Sequence, residues 1–532
     1  MPVIVSNIRI GLNEPDETAF AIARKRLKIS SDQIASCYFY KRSLDARRRN
    51  NICFVISVVL NLHGNEQQIV SRCGDPQIVY KPIDTLDVTI GCSPLLHPIV
   101  VVGMGPAGLF CAYLLAKHGY RPVLFERGGC MEERANAVDS FFKGGAFDSR
   151  SNVQFGEGGA GTFSDGKLTT RISDGRCRFI LEEFVRHGAP KEILVTAKPH
   201  IGTDQLRGVL ISMRKEIERL GGKIYFNKQV EQIHVKNGAV CGITVDGETI
   251  DTEQVVLAIG HSARDTFRSL RQSGIPMEAK EFSVGVRIEQ LQTTIDRGLY
   301  GELAGHPRLP KGEYQLSHRQ DGRCVYTFCM CPGGYVVPSC SEENTVVTNG
   351  MSEHARDGKN ANAALVVSVG TADFGNDPFG GMMFQEELER NAFSLGGGAY
   401  RAPAMNVGAL MGKQSEHLRI TSVTPTYARG VTGASFASLF PAPILSMLQT
   451  GLYRFDRKLP GFSSPEGILT GPETRTSSPI RIVRDLKTYQ SIGAAGLYPC
   501  GEGAGYAGGI MSAACDGIRV AQAIMAQFAP ME

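Results

Sequence analysis

Gly103, Gly105 and Gly108 form a G-x-G-x-x-G run whose residue types and spacing suit the binding of a pyrophosphate. The run follows the apolar stretch 99–102 and opens a segment of helical composition. Glycines in this pattern permit a tight turn, a close approach of the backbone to phosphate, and close packing of helix on strand. The helix N-terminus adds free N–H groups and a partial positive charge. The predicted pyrophosphate-binding residues are Gly103, Gly105, Pro106, Ala107 and Gly108.

Glu126 ends a second apolar run, residues 122–125, about 20 residues after the glycine run, where dinucleotide-binding folds place a ribose-binding acid. Its carboxylate can accept hydrogen bonds from ribose hydroxyls, and its charge would repel a 2′-phosphate. Strand, glycine run, helix, second strand and acid therefore predict the adenosine diphosphate part of FAD or NAD rather than NADP. A second G-x-G-x-x-G run at 156–161 neither follows a convincing buried strand nor opens a helix, so it predicts no second fingerprint.

Three further segments bear on the choice of cofactor. Residues 255–260, VVLAIG, read as a buried strand that ends in glycine. Residues 497–505, LYPCGEGAG, are rich in glycine and contain the acid Glu502. Residues 509–526 have helical composition and open with glycine and small residues.

These segments resemble the flavoproteins with two dinucleotide-binding domains. The runs GEGGAGTFSDGKL (156–168), VVLAIGHSARDTF (255–267), TFCMCPGGYVVPS (327–339) and YPCGEGAGYAGGIMSAACDGIRVA (498–521) narrow the resemblance to a poorly characterised family of bacterial FAD-dependent dehydrogenases with a small N-terminal α+β domain. The resemblance covers essentially the whole chain. It implies FAD, with Glu502 on the ribityl chain in place of the aspartate of many relatives, and no particular substrate.

The resemblance, together with backbone logic, assigns further contacts to FAD. The glycine segment 158–162 is expected against the pyrophosphate or flavin, and the start of the C-terminal helix against the flavin. For Val230 and Arg127, an adenine or phosphate contact and an ordinary core or surface role stay equally open. The added cofactor-binding predictions are Arg127, Gly158, Gly159, Ala160, Gly161, Thr162, Val230, Ala258, Gly260, Gly501, Glu502, Gly509, Ile510 and Met511.

No motif identifies the catalytic residues, and four side chains are candidates. His261 follows the 255–260 strand toward the cofactor, with Arg264 beside it as a candidate for binding an anionic substrate, and Lys167 lies in a turn near the expected flavin. Cys329 and Cys331 form a C-x-C pair. It is either a redox thiol site near the flavin or a strand with alternate residues packed inward. No second NAD(P) fingerprint exists, although transient NAD(P)H binding stays open, and no four-ligand spacing predicts a metal.

The chain has 532 residues, 42% hydrophobic and 21% charged, which is typical of a globular protein of several domains. A net charge of +4 is too small to indicate nucleic acid as a partner, and no apolar run reaches membrane-spanning length. The N-terminus lacks a secretory signal pattern. These features predict a cytoplasmic protein with mostly reduced thiols that acts on a small molecule; they leave its oligomeric state open.

The order of elements predicts an α/β fold, Rossmann-like, in four segments. Residues 1–95 form a small α+β domain, in which strands 34–40 and 52–60 flank a basic hairpin tip at 41–51. Residues 96–280 begin the FAD-binding domain, 281–480 form an inserted, mainly β substrate domain, and 481–532 complete the FAD-binding domain.

The predicted function is an FAD-dependent oxidoreductase that acts on an unidentified small molecule by hydride or electron transfer through the flavin. Two alternatives remain at this stage. One is an FAD-binding RNA-modification or assembly factor, in which the basic N-terminal domain recruits a macromolecule. The other is a flavin monooxygenase.

Overall fold

The computed structural model describes residues 2–82, 85–170 and 172–531, and it begins with a small α+β unit. The elements of this unit are β1 (Val3–Gly11), α1 (Thr18–Leu27), β2 (Ile34–Asp45), β3 (Cys53–Leu62), α2 (Glu66–Cys73) and β4 (Ile78–Tyr80). The strands form an antiparallel sheet in the order β2-β3-β1-β4. Apolar residues of β1 and β3 share one core with Ala19, Ala23 and Leu27 of α1.

The hairpin between β2 and β3 has a shorter loop than the sequence predicted, because β2 continues to Asp45. Arg42 therefore lies within the strand rather than in a basic tip. Its Nε donates to Asp16 Oδ2 at 2.7 Å, and its guanidinium lies 3.7 Å from the centroid of the Phe54 ring. Arg49 donates to the carbonyl of Gly298. An edge strand tolerates charged side chains, so the ladder with β3 extends through them.

The next part of the chain alternates short strands with helices and supplies most of a parallel sheet. Its helices and strands are β5 (Val100–Val102), α3 (Pro106–Lys117), β6 (Val123–Phe125), α4 (Met131–Phe142), α5 (Arg176–Arg186), α6 (Thr203–Arg219), β7 (Lys223–Tyr225), β8 (Val230–Lys236), β9 (Ala239–Val245), β10 (Glu248–Asp251), β11 (Val255–Leu257) and α7 (Arg264–Gln272). Strands β8, β9 and β10 form a separate antiparallel sheet.

The middle of the chain is built around a seven-stranded sheet. Its helices and strands are β12 (Met277–Ala279), β13 (Phe282–Leu291), α8 (Gln292–Tyr300), β14 (Ser317–Gln320), β15 (Arg323–Cys331), β16 (Tyr335–Pro338), β17 (Thr348–Met351), β18 (Asn360–Val369), α9 (Thr371–Phe374), α10 (Gly380–Leu395), β19 (Ala402–Asn406), α11 (Val407–Leu410), β20 (Val431–Gly433), α12 (Ala442–Lys458), β21 (Ile468–Glu473) and β22 (Ile480–Ile482). The order is β14-β15-β18-β13-β21-β19-β20, antiparallel except for the pair β19 and β20.

The end of the chain returns to the first sheet through β23 (Leu497–Pro499) and α13 (Ile510–Gln527). The completed parallel sheet has the order β23-β11-β5-β6-β7, and α13 packs against α3. The inner strands β11, β5 and β6 are apolar and almost wholly buried, as is usual when helices or other layers cover both faces of a sheet. Among the described residues, none of the helices combines the length and apolar character needed to cross a bilayer.

Candidate functional site

The glycine run lies at the carboxyl end of β5, in the turn that leads into α3. Gly103 has a φ of +97°, and a Cβ placed there would lie 2.4 Å from the carbonyl oxygen of Ala258. A Cβ on Gly108 would lie 1.9 Å from the carbonyl oxygen of Gly103. Both positions therefore need glycine for the turn itself, whether or not a ligand is bound.

Gly105 differs from the other two glycines, because its protein surroundings do not require it. Its φ of −70° and ψ of 180° are open to any residue, and a Cβ there would meet no atom closer than the Gly159 Cα at 4.0 Å. It is also the N-cap of α3, with no side chain capping the helix, and Pro106 and Ala107 form the first turn. Free N–H groups next to an open backbone position suit an anionic ligand.

Glu126 follows β6 directly, and its carboxylate is turned toward the glycine run. It is 5% exposed and accepts hydrogen bonds from the backbone N–H groups of Met104 at 2.8 Å, Gly156 at 2.9 Å and Gly128 at 3.0 Å. A carboxylate offers about four acceptor positions, so three N–H donors fix its orientation and leave capacity for a hydroxyl group. The ribose contact of Glu126 stays a prediction that this orientation is compatible with.

The glycine segment at 156–161 packs directly against the first glycine run, although it is no Rossmann fingerprint. The N–H of Gly158 donates to the Met104 carbonyl at 2.9 Å, and a Cβ on Gly159 would lie 2.9 Å from the Gly105 Cα. A Cβ on Gly161 would meet Ile510 at 3.0 Å. The segment continues through Ala160 and Thr162 as a 3₁₀ turn. It thus contacts both the first glycine run and the start of α13.

Arg134 holds this segment in place, and sequence reasoning did not single it out. Its side chain is fully buried in α4 and donates to the carbonyls of Asn152 at 2.9 Å and Val153 at 3.0 Å, as well as to that of Glu157. Arginine can donate five hydrogen bonds from a rigid fork, so one side chain can organise several loop carbonyls. An arginine on an ordinary amphipathic helix gives no sequence signal for such a role.

The C-terminal motif brings Glu502 and the start of α13 to the same edge of the sheet. A Cβ on Gly501 would lie 2.6 Å from the Ala107 Cβ, so glycine is needed where the motif touches α3. Gly509 has a φ of +87° and no protein atom near its Cβ position, and Ile510 and Met511 open α13. Burial raises the pKa of Glu502 to about 7, although the Gly509 N–H and the charge of Lys280 oppose the shift.

The third strand end, after β11, carries Ala258, Gly260 and His261. Gly260 has a φ of +72° and open space at its Cβ position, as Gly509 does. His261 Nδ1 lies 3.0 Å from Ser262 Oγ, and burial, with the charges of Arg475 and Arg264, lowers the pKa of His261 to about 3. His261 is therefore neutral near pH 7, which does not suit it to act as a general acid.

Arg264 does not bind an anionic substrate, contrary to the sequence expectation. Its side chain is 2% exposed, and its guanidinium donates to both carboxylate oxygens of Glu389, at 2.9 and 3.0 Å. Arg475 binds the same carboxylate at 2.9 Å. The two arginines lower the pKa of Glu389 to about 2, although burial acts in the opposite direction. The cluster links α7 to α10 and is satisfied internally.

Arg127 and Val230 are both engaged by the protein. Arg127 forms two 3.1 Å hydrogen bonds with the carboxylate of Asp265 and lies 4.4 Å from the centroid of the Phe155 ring. Val230 begins β8 and is 5% exposed within an apolar cluster. Both side chains thus have structural partners. A ligand at this place would contact the backbone of Val230 or the outer face of the Arg127 guanidinium.

Lys167 lies in a buried cluster of charges beside the C-x-C pair. Lys167 contacts Asp165, whose carboxylate is fully buried. Arg356 donates to the same carboxylate, with its Nε 2.9 Å from Asp165 Oδ1. Burial disfavours the charge of Lys167, yet the carboxylates of Asp165 and Glu313 raise its pKa. Lys167 stays protonated and contributes to the electrostatics felt by Cys331.

The comparisons with known proteins agree with this arrangement. Residues 281–476 match the family model "FAD-dependent protein, C-terminal domain-like", residues 101–152 match an "NAD(P)-binding Rossmann-like domain", and residues 1–61 match a domain of unknown function. An uncharacterized protein of Clostridium beijerinckii is 44% identical over 532 residues, 99% of both chains. Thiamine thiazole synthase of Thermotoga maritima is 28% identical over 153 residues, 29% of this chain and 48% of the synthase.

Solved structures give only distant similarities. Glycine oxidase from Geobacillus kaustophilus covers 80% of this chain and 92% of its own at 10% identity, with a TM-score of 0.33. A geranylgeranyl bacteriochlorophyll reductase-like protein from Thermoplasma acidophilum covers 81% and 78% at 12% identity, with a TM-score of 0.34. The family match at 281–476 confirms FAD as the cofactor, and the matched Rossmann-like segment and the parallel sheet confirm the α/β fold class.

Proposed function

This chain belongs to the same family as the uncharacterized protein of Clostridium beijerinckii, and we propose that it catalyses the FAD-dependent oxidation or reduction of a small molecule. The observation that carries the proposal is a set of three open glycines at one edge of the parallel sheet. Gly105, Gly260 and Gly509 each follow a different strand. Among the residues that the structure describes, and apart from each glycine's chain neighbours, only the Gly159 Cα lies within 4.0 Å of one of their Cβ positions. Ligands of open α/β sheets bind at this edge, beyond the carboxyl ends of the strands.

The described residues fit FAD at each part of the cofactor. The open position at Gly105 and the free N–H groups of the first turn of α3 would hold the pyrophosphate. Glu126, already oriented by three backbone donors, would accept hydrogen bonds from the ribose. Glu502 would contact the ribityl chain, and the N-terminus of α13 would face the flavin.

When bound, the flavin supplies the hydride or electron transfer itself, so the chain contributes position and electrostatics. The N–H groups at Ile510 and Met511 have no side-chain cap and would stabilise negative charge at the flavin edge. Glu502, with a pKa near 7, holds a proton on its carboxyl group in about half of the molecules at neutral pH. Arg134 holds the segment 156–161, and that segment packs on the turn and supports it.

The testing experiment is an anaerobic titration of the purified full-length chain, after its flavin has been released from a sample and identified by mass. Addition of NADH, NADPH or a panel of small organic donors should bleach the flavin absorbance, and an acceptor should restore it. Protein that neither contains nor takes up FAD contradicts the proposal. FAD-loaded protein that cycles with no donor and acceptor pair also contradicts it. The variant Gly208→Val changes an open glycine in α6 that is remote from the glycine run in sequence. It is the control for FAD that is lost during purification.

A further inference from the structure

The C-x-C pair occupies an irregular end of β15. The pairing of β15 with β18 shifts between Phe328 and Cys331, so the strand carries a bulge at this point. Cys329 lies in the bulge with a φ of +44°, a left-handed conformation that is uncommon for a residue other than glycine. Such backbone costs about 1–3 kcal/mol, and a bulge of this kind re-aims the side chains of its strand. The two cysteines therefore do not follow the regular alternation of a strand.

The two cysteines are two residues apart in the bulge and differ in exposure. The Cys331 thiol donates to the Cys329 carbonyl oxygen at 3.4 Å, so the buried thiol lies against the backbone of the other cysteine. Cys331 is fully buried, whereas Cys329 is partly exposed. A disulfide requires the two side chains to turn toward each other, and the exposed member is the one that a reactant can reach.

Fixed positive charge surrounds the pair. Arg287 is fully buried and donates to the Cys329 carbonyl at 2.8 Å, while its other side binds Glu473 at 2.7 Å. The hydrogen bond from Cys331, with the charges of Arg287 and Lys167, lowers the pKa of the Cys329 thiol, although burial and Glu473 act in the opposite direction. The interaction with Cys329, burial and the charge of Cys329 raise the pKa of Cys331, although Arg287 opposes the shift. A thiolate beside a protonated thiol is the arrangement of an attacking and a resolving cysteine.

The residues just after the pair reach the 156–168 motif assigned to the cofactor. A Cβ on Gly333 would lie 2.0 Å from the Arg356 carbonyl oxygen, and Arg356 Nε donates to Asp165 Oδ1 of that motif at 2.9 Å. Lys167 belongs to the same motif, and its charge interacts with both cysteines. The pair is therefore linked through Arg356 to a chain segment expected to border the cofactor, although the two are distant in sequence.

We propose that Cys329 and Cys331 form a redox-active pair that exchanges two electrons with the bound flavin. The inference rests on the proposed function, since the flavin is the partner. In the oxidising direction the S–H bond of Cys331 breaks and one S–S bond forms between it and the Cys329 thiolate. The two electrons and the one released proton pass to the oxidised flavin. The reverse reaction regenerates the thiolate and the thiol from the disulfide and reduced flavin.

The first test counts electrons in an anaerobic dithionite titration of the air-oxidised, FAD-loaded full chain. Wild type should take up about four electrons per flavin, two for FAD and two for the disulfide. Cys331→Ser should take up about two electrons per flavin. Cys329→Ser, at the partly exposed position, should also take up about two, and it replaces Cys331→Ser as the test if that variant does not fold. Cys324→Ser, on the same strand, should match wild type. Cys515→Ser tests the other close pair, since its Sγ lies 3.6 Å from that of Cys177.

The second test is independent of flavin chemistry. The oxidised chain is alkylated, digested and mapped by mass, and the peptide that contains both cysteines should be unalkylated at Cys329 and Cys331 and lighter by two hydrogens. FAD-loaded protein that takes up two electrons, with both thiols alkylated, overturns the dithiol proposal and leaves the proposed function standing. Loss of the extra electrons in Cys515→Ser rather than Cys331→Ser also overturns it. Protein that binds no FAD overturns both.

Discussion

Replacing Gly105 with valine should abolish FAD binding while leaving the fold intact. The φ and ψ of Gly105 are in the extended region that valine favours, and the nearest protein atom to its Cβ position is 4.0 Å away. The added methyl groups therefore cost the protein little, less than about 1 kcal/mol of unfolding free energy. They occupy the space through which the backbone N–H groups would reach the pyrophosphate.

The expected magnitude follows from the contacts that valine would prevent. A hydrogen bond to a charged group contributes about 1.5–3 kcal/mol, so the loss of two between the turn and the pyrophosphate costs about 3–6 kcal/mol. That energy corresponds to a rise in the dissociation constant of roughly a hundredfold to ten-thousandfold. Flavin content after purification, calorimetric titration of the apoprotein with FAD, and thermal unfolding followed by circular dichroism measure the three quantities involved.

Two other glycines separate the ligand effect from a packing effect. Gly108→Val places a Cβ 1.9 Å from the Gly103 carbonyl oxygen, so this variant should lose FAD together with its stability. Gly208→Val, in α6 with no atom within 4 Å, should keep both. The reasoning is refuted if Gly105→Val keeps full flavin occupancy and wild-type affinity. It is equally refuted if Gly105→Val unfolds as Gly108→Val does, because the open space would then not exist.

Two more predictions concern buried carboxylates. Glu389→Gln should lower the unfolding free energy, measured by urea titration, by about 3–5 kcal/mol, because Arg264 and Arg475 lose the buried negative charge that they share. The control Glu387→Gln, exposed on the same helix, should change the unfolding free energy by less than about 0.5 kcal/mol. In the flavin-free protein, burial raises the pKa of Glu502 to about 7, so the folded state keeps this proton to higher pH than the unfolded state does. The unfolding free energy should therefore fall by about 2–3 kcal/mol as pH rises from the ordinary glutamate range through 7. Glu502→Gln should remove that part of the pH dependence, and an unchanged pH profile in this variant would contradict the assignment.

Most of the first nucleotide-binding turn could be predicted from the sequence because its parts are local. Strand β5, the glycine run, helix α3 and Glu126 follow one another within one short stretch, and each residue type has its own physical reason for its position. The strands predicted at 34–40 and 52–60 are observed as Ile34–Asp45 and Cys53–Leu62, because β-rich composition is a local signal too. The basic hairpin tip between them was predicted too long, because the polar stretch continues the edge strand to Asp45 before the chain turns.

Only the tertiary structure decided which distant segments meet. The sequence identified the glycines at 156–161 and the pair Cys329 and Cys331, but it did not show that the first packs on Gly105 or that the second is linked through Arg356 to Asp165. The sequence suggested Arg264 as a residue that binds an anionic substrate, whereas in the fold its guanidinium binds Glu389. The physical reason is that a charge or thiol acquires its role from neighbours brought together by sheet order and packing, and residues hundreds of positions apart leave no periodic signal in either segment.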